Sequence, residues 1–379
     1  MRFAVLGNPE NRRVALFRAA LAARGLPAAV EVAWIDLLAG RAPLDAVLAE
    51  VDVLRIESPG ESFPVERELI ALGADSPGAA LSADAARALE EDLGRVRHSR
   101  QWFSGFGAIL RRIAGALEAA DVPALIAPAE ITLMFDKPAC HDRLRDAGVA
   151  VPRALPPVDG YQALRAAMNA AGLPRVFVKS AYGSSASGVV ALATQETPGA
   201  SRLMATTSAE LVREGGEVRL YNSLRIRRYS REEDVASLVD TLCRDGVHVE
   251  EWVPKLSLDK EACDVRIVVI DGRAQHAVVR QSASPLTNLH LGNKRGDMGA
   301  FVERATPEGW RALCALAEQA AAQVPGALYC GVDVVLATDR KRRVVLELNA
   351  FGDLLPRVEV DGRDTYAAEV EAALARYSG

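Results

Sequence analysis

The chain has 379 residues, half of them hydrophobic and a quarter charged, a composition that fits a globular protein of two or three domains and excludes collagen, coiled coil and disorder. Its 45 basic against 50 acidic side chains leave a net charge of −5, so no global field draws it to nucleic acid or an anionic membrane, and neither is expected as a partner. No uncharged apolar run approaches membrane-spanning length and the start is too polar for a secretory signal, so the protein is expected in the cytoplasm.

In chain order, Met1 to Leu6, Val30 to Trp34 and Val51 to Ile56 read as strands separated by helical segments such as Arg12 to Arg24, the pattern of a small parallel sheet. Helical patterns follow at Phe63 to Leu72, Ala83 to Leu93 and Ile109 to Ala120, then a strand at Pro123 to Ala127 and a boundary near Pro128. Beyond it come a helix from Asp136 to about Gly148, a helix at Tyr161 to Ala171 and a strand at Arg175 to Lys179. Further strands are expected after a Gly/Ser loop, then a helix near Ser230 to Arg244 and strands at Val247 to Trp252, Asp264 to Ile270 and Ala274 to Gln281. A helix capped by Thr306, a hairpin and a closing helix complete the chain. The five cysteines lack any metal-ligand spacing and read as reduced thiols.

Chemistry concentrates in two places. In Val176 to Val190 a strand delivers Lys179 to a small-residue loop containing Gly183, Ser184, Ser185 and Gly188. Such a loop can aim backbone N–H groups at phosphate oxygens. A strand rather than a helix follows it, which excludes both a P-loop and a dinucleotide fingerprint. The competing reading is a hairpin tip with a solvated lysine. In Gly331 to Asn349, two apolar strands flank a charged turn, and a symmetric hairpin sets Asp333 opposite Glu347, with Asn349 on the face of Glu347. Three oxygen-bearing side chains then converge in a manner suited to Mg²⁺ shared with phosphates. A register slipped by one residue would instead leave the carboxylates on opposite faces.

Between these ends, Glu250-Glu251-Trp252-Val253 leaves a strand into a turn where backbone groups can read an adenine edge. Alternation puts Asp264 and Arg266 on one face, and His276 and Arg280 on another strand's face. Ser284 to Gly296, with Asn288 and His290, is a polar loop suited to covering a site.

Taken together from about Met134 to Phe351, these segments resemble the ATP-grasp superfamily, and within it the ribosomal-protein glutamate ligases and the D-alanine–D-alanine ligases. The resemblance implies an α/β fold with an N-terminal parallel-sheet domain (1–128), a central subdomain (129–205) and a C-terminal antiparallel-sheet subdomain (206–379). It implies ATP held by Lys137, Lys179, the Gly183–Gly188 loop and the Glu250–Val253 hinge, and Mg²⁺, or Mn²⁺ in its place, held by Asp333, Glu347 and Asn349. Arg266, Arg280 and Asn288 would then serve the reaction. Arg55, Glu57 and Ser58 of the N-terminal domain, with His290, are expected at the acceptor site. The implied activity is a carboxylate–amine ligase that passes through an acyl phosphate on small-molecule or peptide substrates. A kinase sharing the nucleotide site and a nucleotide-binding module without catalysis stay open, with a nicotinamide-dependent reductase a remote third. Asp259 and Glu261 are both candidates to hold the ribose. The basic run Arg225 to Arg228 lies in a segment longer than the family's link. The identities of acid and amine, and the oligomeric state, are not encoded in any motif.

Overall fold

The computed structural model describes residues 1–183, 188–197 and 200–377. The N-terminal part holds three parallel strands in the order β2-β1-β3, with β1 at Phe3–Gly7, β2 at Val30–Ala33 and β3 at Val53–Ile56. Every residue of β1 and β3 is buried, as expected of strands covered on both faces. The expected fourth strand, Pro123 to Ala127, is reduced to single bridges, Ala124 to Leu54 and Ile126 to Ala327. Helix Ser99–Ala120 begins earlier than expected and absorbs the aromatic stretch at Trp102 and Phe106 into the core. It crosses helix Phe63–Leu72 at backbone contact: a Cβ on Gly105 would lie 1.9 Å from the Leu69 carbonyl oxygen. The helix expected over Ala83 to Leu93 is only Ala83–Arg87.

The second sheet has the order β7-β6-β5-β4-β8, with β4 at Arg175–Ser180, β5 at Val190–Thr197, β6 at Ala200–Glu214, β7 at Glu217–Tyr229 and β8 at Val247–Glu251. All neighbouring strands run antiparallel. A boundary after residue 205 would fall inside β6, and the sheet runs on to Glu251. Helices Tyr161–Ala171 and Glu232–Cys243 pack on it to form its own core.

The third sheet is also antiparallel, with the path β12-β11-β10-β13-β14 and a short β9 beside β10. The strands are β9 Ser257–Leu258, β10 Glu261–Ile270, β11 Arg273–Ser282, β12 Lys294–Arg295, β13 Tyr329–Leu336 and β14 Arg343–Asn349. Its core is continuous with that of the N-terminal part. Helix Lys137–Asp146 begins at an Asp136 N-cap that accepts from the Ala139 N–H (3.1 Å), which fixes Lys137 in its first turn. No helix is long and apolar enough to cross a membrane among the described residues.

Candidate active site

A cleft opens between the second and third sheets, lined by Lys137, Lys179, Gly183, Glu250, Asp264, Arg280, Asn288, Asp333 and Glu347 among others. The space between its walls is about 730 Å³, open solvent at the mouth included. Above it, Phe177, Ala191, Leu286 and Leu291 form a small apolar cluster with Ile226 and Trp252 packed against it.

On the second-sheet side, β4 carries Lys179 across from His248 on β8. The lysine is 2.6 Å from Glu250 Oε1, and His248 Nε2 is 3.4 Å from Glu250 Oε2. Burial works against the Glu250 carboxylate, but Lys179 and His248 outweigh it and hold its pKa down at about 2. Burial also disfavours the Lys179 ammonium, and Glu250 and Glu347 reverse that, raising its pKa. Lys137 donates to the Gly183 carbonyl (2.6 Å). Its pKa is lowered by burial, against an upward pull from Glu347 and with a lesser push down from Lys179. Gly183, at φ +133°, holds a backbone conformation that suits glycine.

On the third-sheet side the hairpin pairs Asp333 with Glu347. A bulge after Asp333 shifts the rest of the hairpin by one residue, yet the two carboxylates keep their common face. Asn349 pairs with Gly331; with its amide turned to satisfy both ends, Nδ2 donates to Glu347 Oε1 (3.0 Å) and Oδ1 accepts from Arg266 (3.3 Å). Arg266 grips Asp333 through Nε and Nη2, the latter at 2.9 Å. Arg280 lies 3.0 Å from Asp333 Oδ2 and donates to Asp264 Oδ1 (2.7 Å). Burial opposes the charge on Asp264, yet Arg280 and Lys255 keep its pKa well below the carboxylate range. A ladder of alternating charge thus runs Lys255, Asp264, Arg280, Asp333, Arg266 across the face.

Lys255 is the residue sequence reasoning missed. It is buried, donating to Asp264 Oδ2 (2.8 Å) and Thr287 Oγ1 (2.7 Å). Only its place just after the hinge could have signalled it. Thr287 in turn donates to Asp264.

Several expectations require correction. Glu251 turns away from the cleft to a bidentate pair with Arg342 at 2.6 and 2.8 Å. Trp252 packs on Phe177 with ring centres 5.4 Å apart and Val253 is buried with Val335 and Val344, side-chain positions that leave the backbone role expected of this hinge untouched. Gly188, at φ +69°, does not line the cleft, and a Cβ there would lie 2.8 Å from Leu242 Cδ2. Neither Asp259 nor Glu261 lines it, and Glu261 pairs with Lys294 (2.8 Å). Arg55 is 0% exposed, and its three nitrogens are taken by Glu57 (2.6 Å), Asp353 (2.7 Å) and Glu369 (2.7 Å). With each nitrogen engaged and both side chains shut inside the core, Arg55 and Glu57 cannot meet a substrate carboxylate. Ser58 does not line the cleft; its hydroxyl accepts from the Gly60 N–H (3.2 Å). Ser184, Ser185 and the side chain of His290 lie outside the described residues.

Solved structures extend over the whole chain. The structure of the ATP-grasp ligase PsnB complexed with minimal precursor is 18% identical, covering 99% of this chain and 98% of that one, with a TM-score of 0.54. This chain has the ATP-grasp fold. The crystal structure of D-cycloserine synthetase DcsG, at 16% identity, is covered in full, as is this chain, with a TM-score of 0.57. The RimK domain protein ATP-grasp from Sphaerobacter thermophilus DSM 20745 gives 16%, full coverage of both chains and 0.51. No family model and no curated protein matches the sequence. In this fold the two antiparallel sheets face each other across the cleft, with Lys179 and Glu250 on the second-sheet wall and Asp264, Arg280, Asp333 and Glu347 on the third-sheet wall.

Proposed function

We propose that the protein is an ATP-dependent carboxylate–amine ligase. The observation that carries this reading is the opposition, across one cleft, of Lys137 and Lys179 to the paired carboxylates Asp333 and Glu347. A triphosphate needs cations on one side, and a divalent cation shared with it needs carboxylates on the other.

The donor set suits Mg²⁺: two carboxylates and an amide oxygen are hard ligands. No group of three His, Cys, Asp or Glu that could hold a metal alone occurs among the described residues, so phosphate oxygens would complete the shell. Asp333, Glu347 and Asn349 would hold the ion, which would supply charge neutralisation at the phosphates. Lys179 and Lys137 would fix the phosphate chain, and Glu250 would both hold Lys179 in place and accept from an adenine amino group. Arg280 and Arg266 stand where a second anion, the substrate carboxylate, would otherwise be repelled. A carboxylate oxygen attacks the γ-phosphorus and ADP leaves; an amine nitrogen then attacks the acyl carbon, and phosphate leaves as the amide forms. No side-chain nucleophile is needed.

PsnB is crystallised with a precursor peptide, and DcsG by its name makes a small molecule. Both substrate sizes are therefore compatible with this fold. The test is incubation with Mg²⁺, ATP, candidate carboxylates and hydroxylamine. Hydroxamate formation coupled to ADP release supports the ligase; a stable phosphoester with no hydroxamate would replace it by a kinase.

A further inference from the structure

Three arginines from separate segments meet beside the reacting face of the third sheet. Arg295 on β12 pairs directly with Arg280 on β11, so both project from one face of the sheet. Its Nη1 donates to the Pro356 carbonyl (2.6 Å), which sets it against the loop after Asn349 and next to Arg357. From the N-terminal part, Arg13 reaches the same loop at the Phe351 carbonyl (2.5 Å) and Asp353. Arg12, the residue before it, is exposed and lies close enough to Arg295 to act on its charge.

All three arginines are exposed, and no ion pair neutralises any of them among the described residues. Partial burial, Arg357 and Arg12 each lower the pKa of Arg295, and no carboxylate counters them. The neighbouring Lys294 differs: it faces the other side and pairs with Glu261 (2.8 Å). Concentrating like charges without a counter-ion is unfavourable in the free protein and is relieved by an anion. Arginine holds a carboxylate through two parallel N–H bonds, which adds geometry to charge.

We propose that Arg12, Arg295 and Arg357 form a second carboxylate site, and that the acid substrate is a short dicarboxylate. One carboxylate reacts beside Arg280 while the other is held by the trio, one cross-strand step away. The assignment of the reacting end rests on the ligase reading; the binding of the second end does not.

The test uses glutarate and butyrate as probes, two acids of similar chain length that differ in the second carboxylate. Calorimetric titrations of the full chain are run with and without Mg²⁺ and a non-hydrolysable ATP analogue. Glutarate is expected to bind about tenfold tighter than butyrate. In Arg295→Ala/Arg357→Ala the preference disappears, while the nucleotide affinity and the thermal midpoint stay put. The Arg295→Lys/Arg357→Lys variant keeps part of it, because charge remains while the bidentate geometry is lost. Equal binding of the two acids by the wild-type chain, or a preference that survives in the alanine variant, overturns the proposal. Absence of nucleotide binding alongside an intact glutarate preference would instead remove the ligase reading and leave the anion site standing.

Discussion

Lys179 faces carboxylates from both walls of the cleft, Glu250 in contact and Glu347 across it. Its truncation removes a preorganised charge where phosphoryl charge develops. Lys179→Ala is therefore expected to lower kcat by about 10²–10³, the effect of roughly 2.7–4 kcal/mol lost from the transition state, with the fold retained by circular dichroism. The same pair sets an acid response. Glu250 titrates near 2 in the fold against an ordinary 4.5, so its stabilising contribution is full above the unfolded value and lost as pH falls from about 4.5 toward about 2. In Lys179→Met that acid decline in the denaturant midpoint should shrink, and an unchanged profile would separate Glu250 from the lysine. These residues were readable because strand alternation assigns Lys179, Asp333 and Glu347 to faces. Glu251 was not: whether a hinge side chain turns in or out depends on Arg342, 91 residues further along the chain. Lys255 was hidden for the same reason, since its partners Asp264 and Thr287 come from other segments.

At the scale of elements, the hairpin β13–β14 and the loop after it are locked by two glycines. A Cβ on Gly352 would lie 2.6 Å from the Gly331 Cα and 3.0 Å from the Asn349 Cβ. Gly352→Ala must therefore push the loop off β13 and shift Asn349. Expected are a raised metal requirement for turnover and a stability loss of about 1–3 kcal/mol, the usual cost of forced overpacking, measured by Mg²⁺ titration and urea unfolding. The β13–β14 hairpin was legible because its turn is symmetric and its two strands are strongly apolar. The longer β6–β7 hairpin was not resolved as one ribbon. Its signal was the Gly215-Gly216 turn, where both residues take positive φ, the pattern of a tight two-residue connection. The reading was obscured by an irregular stretch between Asn222 and Arg227, where the β7 side spends more residues than β6. That stretch leaves Leu224 75% exposed.

Across the whole molecule, one buried cluster ties the N-terminal sheet to the third sheet. Arg13 and Arg55 face Glu57, Asp353 and Glu369, so carboxylates outnumber guanidinium groups. Burial, above all, raises the pKa of Glu369 well above its ordinary value, against the pull of Arg55. A raised acid stabilises the fold fully below its unfolded pKa and loses that contribution as pH climbs through the folded value. Stability should thus decline on the alkaline side, and Glu369→Gln should flatten the decline in denaturant midpoints taken from about pH 5 to about pH 9. Arg55→Met leaves three carboxylates with one guanidinium and is expected to cost about 3–5 kcal/mol in chemical denaturation. The sequence presented Arg55-Ile-Glu57 as charges at a strand end, where a ligand crevice opens in many parallel sheets. The closing helix Thr365–Tyr377, which delivers Glu369, and the loop after β14, which delivers Asp353, together convert that segment into core.

The helix after β1 starts with two arginines of opposite duty. Arg13 plugs into Asp353, while Arg12, one step earlier, stays outside near Arg295 and Arg357. Consecutive helical residues differ by about 100° in direction, so inserting or deleting a single residue between Asn11 and Arg13 would exchange an anchor for a solvent-facing cation. The length of that short connection should consequently resist indels far more strictly than its composition would suggest.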